Sequence, residues 1–195
     1  MNVLARLPAI ALLCSAGLAA TASAQPLPEP AQGFLCCNMR SNGDWISDSN
    51  YDEGAKTAVV PFGTPLKAQS YGRYRIYVEI NGKRQAIGND YSRDLAMDVF
   101  AKRYVVAEDP RAKLASASPK IRKAVEAGHV TRGMTRAQVL MAVGYPISSE
   151  NPNLEAGTWR YWLSSFAEFD VVFDNAGQVK EVVADNTVKR SVWED

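Results

Sequence analysis

Between Gly133 and Pro146 the chain reads Gly-Met-Thr-Arg-Ala-Gln-Val-Leu-Met-Ala-Val-Gly-Tyr-Pro, and nearly every position of this run has a helix-defining job. The Thr135 hydroxyl oxygen is placed to accept from a first-turn N–H, and the Gln138 side chain to accept from the Thr135 N–H. This is the reciprocal arrangement of a capping box, with Met134 spaced to staple onto Val139. Val139, Leu140 and Val143 then share an apolar face, Gly144 supplies a left-handed residue beyond the last turn, and Pro146 prevents continuation. The segment specifies a short helix with both ends fixed, and none of its side chains is chemically reactive.

Downstream, Trp159-Arg160-Tyr161-Trp162 and the run from Phe169 to Val183 read as strands joined by turns, with Asp174 initiating one of them. The succession Gly-Met-Thr-x-x-Gln-Val, Gly-x-Pro, Trp-x-Tyr and Phe-Asp-x-x-Gly-x-Val resembles the SmpA/OmlA (BamE-like) family over the last third of the chain. That resemblance implies a two-helix, three-strand α+β module, similar in shape to the β-lactamase inhibitor protein, that acts through protein contacts and has no active site. The chain departs from the family pattern at its lipid anchor. Cys14 follows Leu12-Leu13 inside an apolar run instead of a lipobox with a small residue before the cysteine, so lipidation is not expected.

Residues 1–24 have the form of a secretory signal peptide: Arg6, an apolar run from Leu7 to Ala20, and Ala22-Ser23-Ala24 before Gln25. The competing reading, an N-terminal anchor, needs ~20 apolar residues, which Pro8 and the short Ala-rich run do not supply. Removal of Arg6 from the 22 Lys and Arg residues leaves as many cations as the 21 acids. A neutral mature chain is not expected to bind nucleic acid by phosphate contact. No later run is long enough for an integral membrane segment.

After cleavage the expected order is an extended leader (25–33), a β-rich domain resembling bacterial SH3-like domains (34–107), a linker (108–118) and the SmpA/OmlA-like domain (119–195). The fold class is therefore α+β. The prolines of the leader make it extended and mobile. A first strand is read over Phe34–Arg40, Asn42-Gly43 turns the chain, and Asn81-Gly82 is a tight-hairpin signal between Tyr74–Ile80 and Arg84–Ile87. The SH3-like resemblance rests on Val59-Val60-Pro61-Phe62-Gly63-Thr64-Pro65-Leu66-Lys67. Ser92 is read as the cap of a helix burying Leu95, Ala96, Val99 and Phe100. Ser118-Pro119 opens a further helix that Gly128 stops.

Cys36 and Cys37 are the cysteines left after cleavage, adjacent in a compartment where disulfides persist. Neighbouring Cα atoms lie about 3.8 Å apart, below the separation of about 4.4–6.8 Å usual for a relaxed bridge. Three states stay open: free thiols on opposite faces of a strand, a vicinal bond, or an intermolecular one. A metal site is not expected, because adjacent cysteines lack the ligand spacing and His129 is the only histidine. No cofactor motif is present. His129 reads as a polar loop residue, and Glu168 and Asp170, which share a strand face, read as a solvated pair and not as catalytic acids.

The aromatic residues carry the functional expectation. Alternation puts Trp159 and Tyr161 on one face of a strand, toward the helices, and Trp162 on the other. Trp162, bordered by Phe166, is the expected partner-binding surface. The functional reading is a periplasmic, non-enzymatic protein–protein interaction module in cell-envelope or outer-membrane assembly or maintenance, with envelope proteins as partners. Alternatives are cell-wall (peptidoglycan) binding through the SH3-like domain, and inhibition of a periplasmic enzyme.

Overall fold

The computed structural model describes residues 28–195. The segment read as a signal peptide, Cys14 and the first residues of the expected leader lie outside the described residues. The fold mixes helices and strands, as the α+β reading expects, and holds its strands in two sheets. The first part contributes β1 (Gln32–Leu35), β2 (Met39–Ser41), β3 (Trp45–Ser47), β4 (Ala58–Val60), β5 (Pro65–Gly72), β6 (Arg75–Ile80), β7 (Lys83–Gly88), α1 (Met97–Tyr104) and β8 (Val105–Val106). These strands form one sheet in the order β4-β2-β3-β7-β6-β5-β1-β8. All pairings are antiparallel except β3 with β7, which run parallel.

The β6–β7 hairpin follows from sequence alone. Asn81 and Gly82 both take positive φ, 53° and 74°, as a two-residue hairpin turn requires. Ile76, Val78 and Ile80 are buried, while Arg75, Tyr77 and Glu79 face the other way. The buried set packs with Leu35, Met39, Ile46, Ile87, Phe100 and Tyr104 into the core of this part.

Three local expectations differ from the structure here. The strand read over Phe34–Arg40 is two strands, β1 and β2, separated by a bend at Cys36-Cys37. The leader does not stay extended and mobile to Gly33: Gln32 and Gly33 already pair with Lys67 and Leu66. Gly33 is needed there, since a Cβ would come within 2.3 Å of the Val106 carbonyl oxygen. Helix α1 begins at Met97 and not after Ser92, and Val99 is exposed. Ser92 is buried instead, its hydroxyl oxygen accepting from Ser148 N of the second part at 3.1 Å. A hydroxyl committed to a distant backbone is not available as a helix cap.

The second part holds α2 (Arg111–Leu114), α3 (Pro119–Ala127), α4 (Arg136–Val143), β9 (Thr158–Ser164), β10 (Ala167–Phe173), β11 (Val179–Val183) and α5 (Asn186–Val192). Its sheet has the order β11-β10-β9, antiparallel throughout. Ser118 caps α3 with Pro119 in its first turn, and Gly128 closes it in the left-handed region. The Thr135/Gln138 capping box of α4 is present in both directions, and Met134 and Val139 are fully buried in one core. Gly144 has positive φ, 85°, but an extended ψ, so it redirects the chain without a left-handed cap.

Helix α4 is buried on more than the expected face: Val139, Met141 and Ala142 are buried, Leu140 and Val143 only partly. It lies between its own sheet and the first part of the chain. The linker is likewise not a free spacer, because it forms α2 and buries Leu114 in the second core together with Phe62 from the first part. Helix α5, absent from the two-helix expectation, is capped by Asp185, whose carboxylate accepts from Thr187 N and Val188 N. It buries Val188 and Val192 one turn apart. Among the described residues no helix is long and apolar enough to cross a membrane.

Candidate functional site

The two parts meet around Asn38. Its amide nitrogen donates to the carbonyl oxygens of Val125 (2.7 Å) and Ala142 (3.2 Å), and its amide oxygen accepts from Phe62 N (3.0 Å). The Asn38 backbone N–H donates to Met141 O at 2.9 Å, and its carbonyl oxygen accepts from Asn50 Nδ2 at 3.0 Å. Asn50 Nδ2 also reaches Val143 O at 3.0 Å. A buried amide in an otherwise apolar setting is tolerated only when its polar capacity is used, and Asn38 satisfies backbone groups at the ends of both α3 and α4.

Trp162 is among the residues that line the crevice at this junction. Trp159 and Tyr161 are buried at 1% and 6% exposure, with Tyr161 stacked on Phe169 at 5.2 Å and its hydroxyl donating to Gly144 O. Trp162, on the opposite face of β9, is half-buried, and its indole N–H donates to Glu150 Oε1 at 3.0 Å. It is one of the lining residues of a crevice of about 140 Å³ where the parts meet, to which Arg40 and Val59 of the first part and Tyr161 and Phe169 of the second also contribute. The first part thus flanks Trp162 without burying it. Phe166, at the turn between β9 and β10, is 99% exposed.

A second aromatic group, which sequence reading did not single out, lies on the first part next to Glu150. Tyr51 and Tyr91 pack with ring centroids 5.8 Å apart, and both line a cleft of about 530 Å³ with Trp45, Asp90 and Arg93. Burial, helped by a hydrogen bond to Tyr91 and by the nearby Glu150 and Asp48 charges, pushes the Tyr51 hydroxyl up to about 12. Asp48, 1% exposed, accepts from Asp90 N and Tyr91 N and fixes the loop that carries Tyr91. Burial raises the Asp48 carboxyl above its ordinary value, against the opposing effect of these hydrogen bonds.

Trp45 lies against Gly88: a Cβ there would come within 2.0 Å of its ring, and the Arg75 guanidinium sits 5.0 Å from the ring centroid. Asp90 Oδ2 accepts from Trp45 Nε1 (3.1 Å) and Ser47 Oγ (2.7 Å). Arg84 covers Tyr77 at 4.1 Å, and Arg93 covers Tyr74 at 4.9 Å. This face of the sheet is a layer of arginines on aromatic rings, the arrangement in which a guanidinium keeps its in-plane donors free. Arg84 lies diagonally across the β6–β7 hairpin from Tyr77 in a register that the Asn81-Gly82 turn fixes, whereas Trp45 meets Arg75 only through the long-range parallel pairing of β3 with β7.

The remaining polar candidates have local partners. Arg160 bonds Asp170 in a fork, at 2.9 and 3.1 Å, and lies 3.6 Å from Glu168, so both carboxylates of the shared strand face turn to one guanidinium. His129 Nδ1 lies 3.2 Å from Glu194 Oε2, and Glu194 also pairs with Lys123. These contacts tie the C-terminus to α3. Cys36 and Cys37 are bonded to each other, and both are buried in the bend between β1 and β2, in place of facing opposite ways on a strand. Among the described residues no group of three or more His, Cys, Asp or Glu side chains is placed to hold a metal ion. Comparisons of the chain with protein-family models, with characterised proteins and with solved structures find no match.

Proposed function

We propose that this chain is an SmpA/OmlA (BamE-like) interaction protein of the cell envelope that acts by protein–protein contact through the β9–β10 hairpin. The observation that carries the reading is Phe166: a large aromatic side chain left 99% exposed at the turn of a hairpin that also carries half-buried Trp162, hydrogen-bonded to Glu150. Exposed aromatic side chains are what interfaces concentrate. A periplasmic location and a role in outer-membrane assembly or maintenance belong to the same proposal. They rest on the signal-peptide pattern and the family resemblance.

The test places a photo-crosslinking amino acid at position 166 in intact envelopes. Protein adducts that disappear on Trp162→Ala are expected, with partner affinity lowered by about 2 kcal/mol or more. The purified variant should keep a near-parental melting temperature, since Trp162 is only half-buried. An envelope without adducts, or a Trp162→Ala variant that unfolds, overturns the assignment.

A second reading, cell-wall binding through the first part, is favoured by the cleft of Trp45, Tyr51 and Tyr91, whose ring faces and flanking polar groups suit a glycan or a peptide. Sedimentation with purified sacculi distinguishes it. Binding lost on Tyr91→Ala and kept on Phe166→Ala would move the functional site to this cleft.

A further inference from the structure

The bend at residues 36–38 joins three features: the Cys36–Cys37 bond, a solvent-facing crevice and the Asn38 contacts. Cys37 has no exposed surface, whereas Cys36 retains 8%. Cys36 lines a crevice of about 370 Å³ walled by Val106, Leu140, Met141 and Tyr145, with Lys113 among its lining residues. The crevice thus opens between the end of the first part and α4. One residue beyond the bond, Asn38 makes the side-chain and backbone contacts that hold the ends of α3 and α4 to the first part.

We propose that Cys36–Cys37 is a thiol–disulfide exchange site whose reactant is a dithiol, and that its reduction loosens the contact between the two parts of the chain. The inference rests on none of the functional reading above. A thiolate of the incoming dithiol enters the crevice and attacks the sulfur of Cys36, the cysteine of the pair that lines it. The Cys36–Cys37 bond breaks, and Cys37 leaves as a thiolate that takes up a proton. The second thiol of the reactant then attacks the mixed disulfide, releasing Cys36 as a thiol and the reactant as its cyclic disulfide. Two electrons pass from the reactant to the cysteine pair.

A monothiol lacks the intramolecular second step, and a second molecule must arrive before Cys37 acts. Cys37, adjacent in sequence, attacks the mixed disulfide and re-forms the original bond, so a monothiol adduct does not accumulate. The structural consequence follows from the covalent ring that the bond closes around the Cys36–Cys37 peptide. Opening it returns backbone freedom to both residues, next to the Asn38 N–H that donates to Met141 O.

The experiment treats the mature protein with dithiothreitol or with reduced glutathione, traps thiols with iodoacetamide, and follows cleavage by trypsin at Arg111 and Lys113. Dithiothreitol should yield two alkylated cysteines and glutathione neither alkylation nor adduct. Cleavage of the reduced protein should be faster by on the order of fivefold, the factor given by loss of one ordinary hydrogen bond. The Cys36→Ser/Cys37→Ser variant should be cut at the fast rate with or without dithiothreitol. Two free thiols in protein prepared under oxidising conditions, or unchanged cleavage of the reduced parent, would overturn the proposal. Because the parent protein alone decides the outcome, a variant that fails to fold does not leave the question open.

Discussion

Helix α4 and the bend at residues 36–38 are both short and both buried, but they are held in opposite ways. The α4 helix carries its instructions within itself: the Thr135/Gln138 box at one end, Gly144 at the other, and apolar residues between. The bend has no propensity signal of its own, and its partners lie far along the chain, Asn38 reaching Val125 and Ala142 at sequence separations of 87 and 104. Local coding spreads the determinants of an element over several residues, each of modest weight. Long-range coding concentrates them in one side chain, where a single substitution leaves several buried groups without partners.

The sharpest test of that contrast is Asn38→Ala. It removes one acceptor and two donors and strands the Phe62 N–H and the Ala142 carbonyl oxygen, while the Val125 carbonyl oxygen keeps its bond from Gly128 N. At about 1–3 kcal/mol for each buried unsatisfied group, a loss of about 2 kcal/mol or more is expected in urea denaturation. A near-parental midpoint would show that the junction does not depend on this amide.

Gly88→Ala tests a long-range requirement of another kind, since a Cβ there would overlap Trp45. Overpacking of this sort costs about 1–3 kcal/mol and should change the tryptophan near-ultraviolet circular dichroism as the ring is displaced. If both signals stay parental, the ring does not lie on Gly88.

For the locally coded side, Thr135→Ala removes one half of the α4 capping box and should cost about 1 kcal/mol in the same denaturation assay, less than either change above. A larger loss than Asn38→Ala would reverse the comparison.

The smallest effect expected is a pH response of the C-terminal tie. Hydrogen bonds from Lys123, and after it from His129, hold the Glu194 carboxyl below the usual carboxylate range. A carboxyl lowered in the folded state adds stability above its unfolded value and loses it as pH falls through the folded one. Protection of the α5 amides, after correction for the intrinsic pH dependence of exchange, should therefore fall on acidification below the ordinary glutamate range, and Glu194→Gln should abolish that dependence. An identical pH profile in the variant would remove Glu194 as the cause.

How far the fold was legible follows the same division. The Asn81-Gly82 hairpin, the caps at Ser118 and Thr135, and the alternation that buries Trp159 and Tyr161 were readable because each is fixed by residues within a few positions. Helix α5 was also readable in principle from Asp185 and the Val188/Val192 spacing, but its short apolar stripe is easily missed. The Ser92 reading failed because a capping residue and a buried hydroxyl donor–acceptor look alike in sequence, and a partner at Ser148 decides between them. The candidate site divides likewise. Trp162 and Phe166 were singled out by alternation, whereas the cleft of Trp45, Tyr51 and Tyr91 assembles from separate loops and strands.

The sequence by itself determined where helices and hairpins begin and end, which strand faces are apolar, and that the elements alternate from β-rich to mixed along the chain. These properties depend on backbone preferences and side-chain periodicity over a single turn or strand. Only the tertiary structure decided that the presumed linker folds onto the second core, that α4 is enclosed from more than one side, and that Cys36, Cys37 and Asn38 share one bend at the junction. Those outcomes depend on which buried backbone groups meet in space. Satisfying them is a global constraint that no local window of sequence contains.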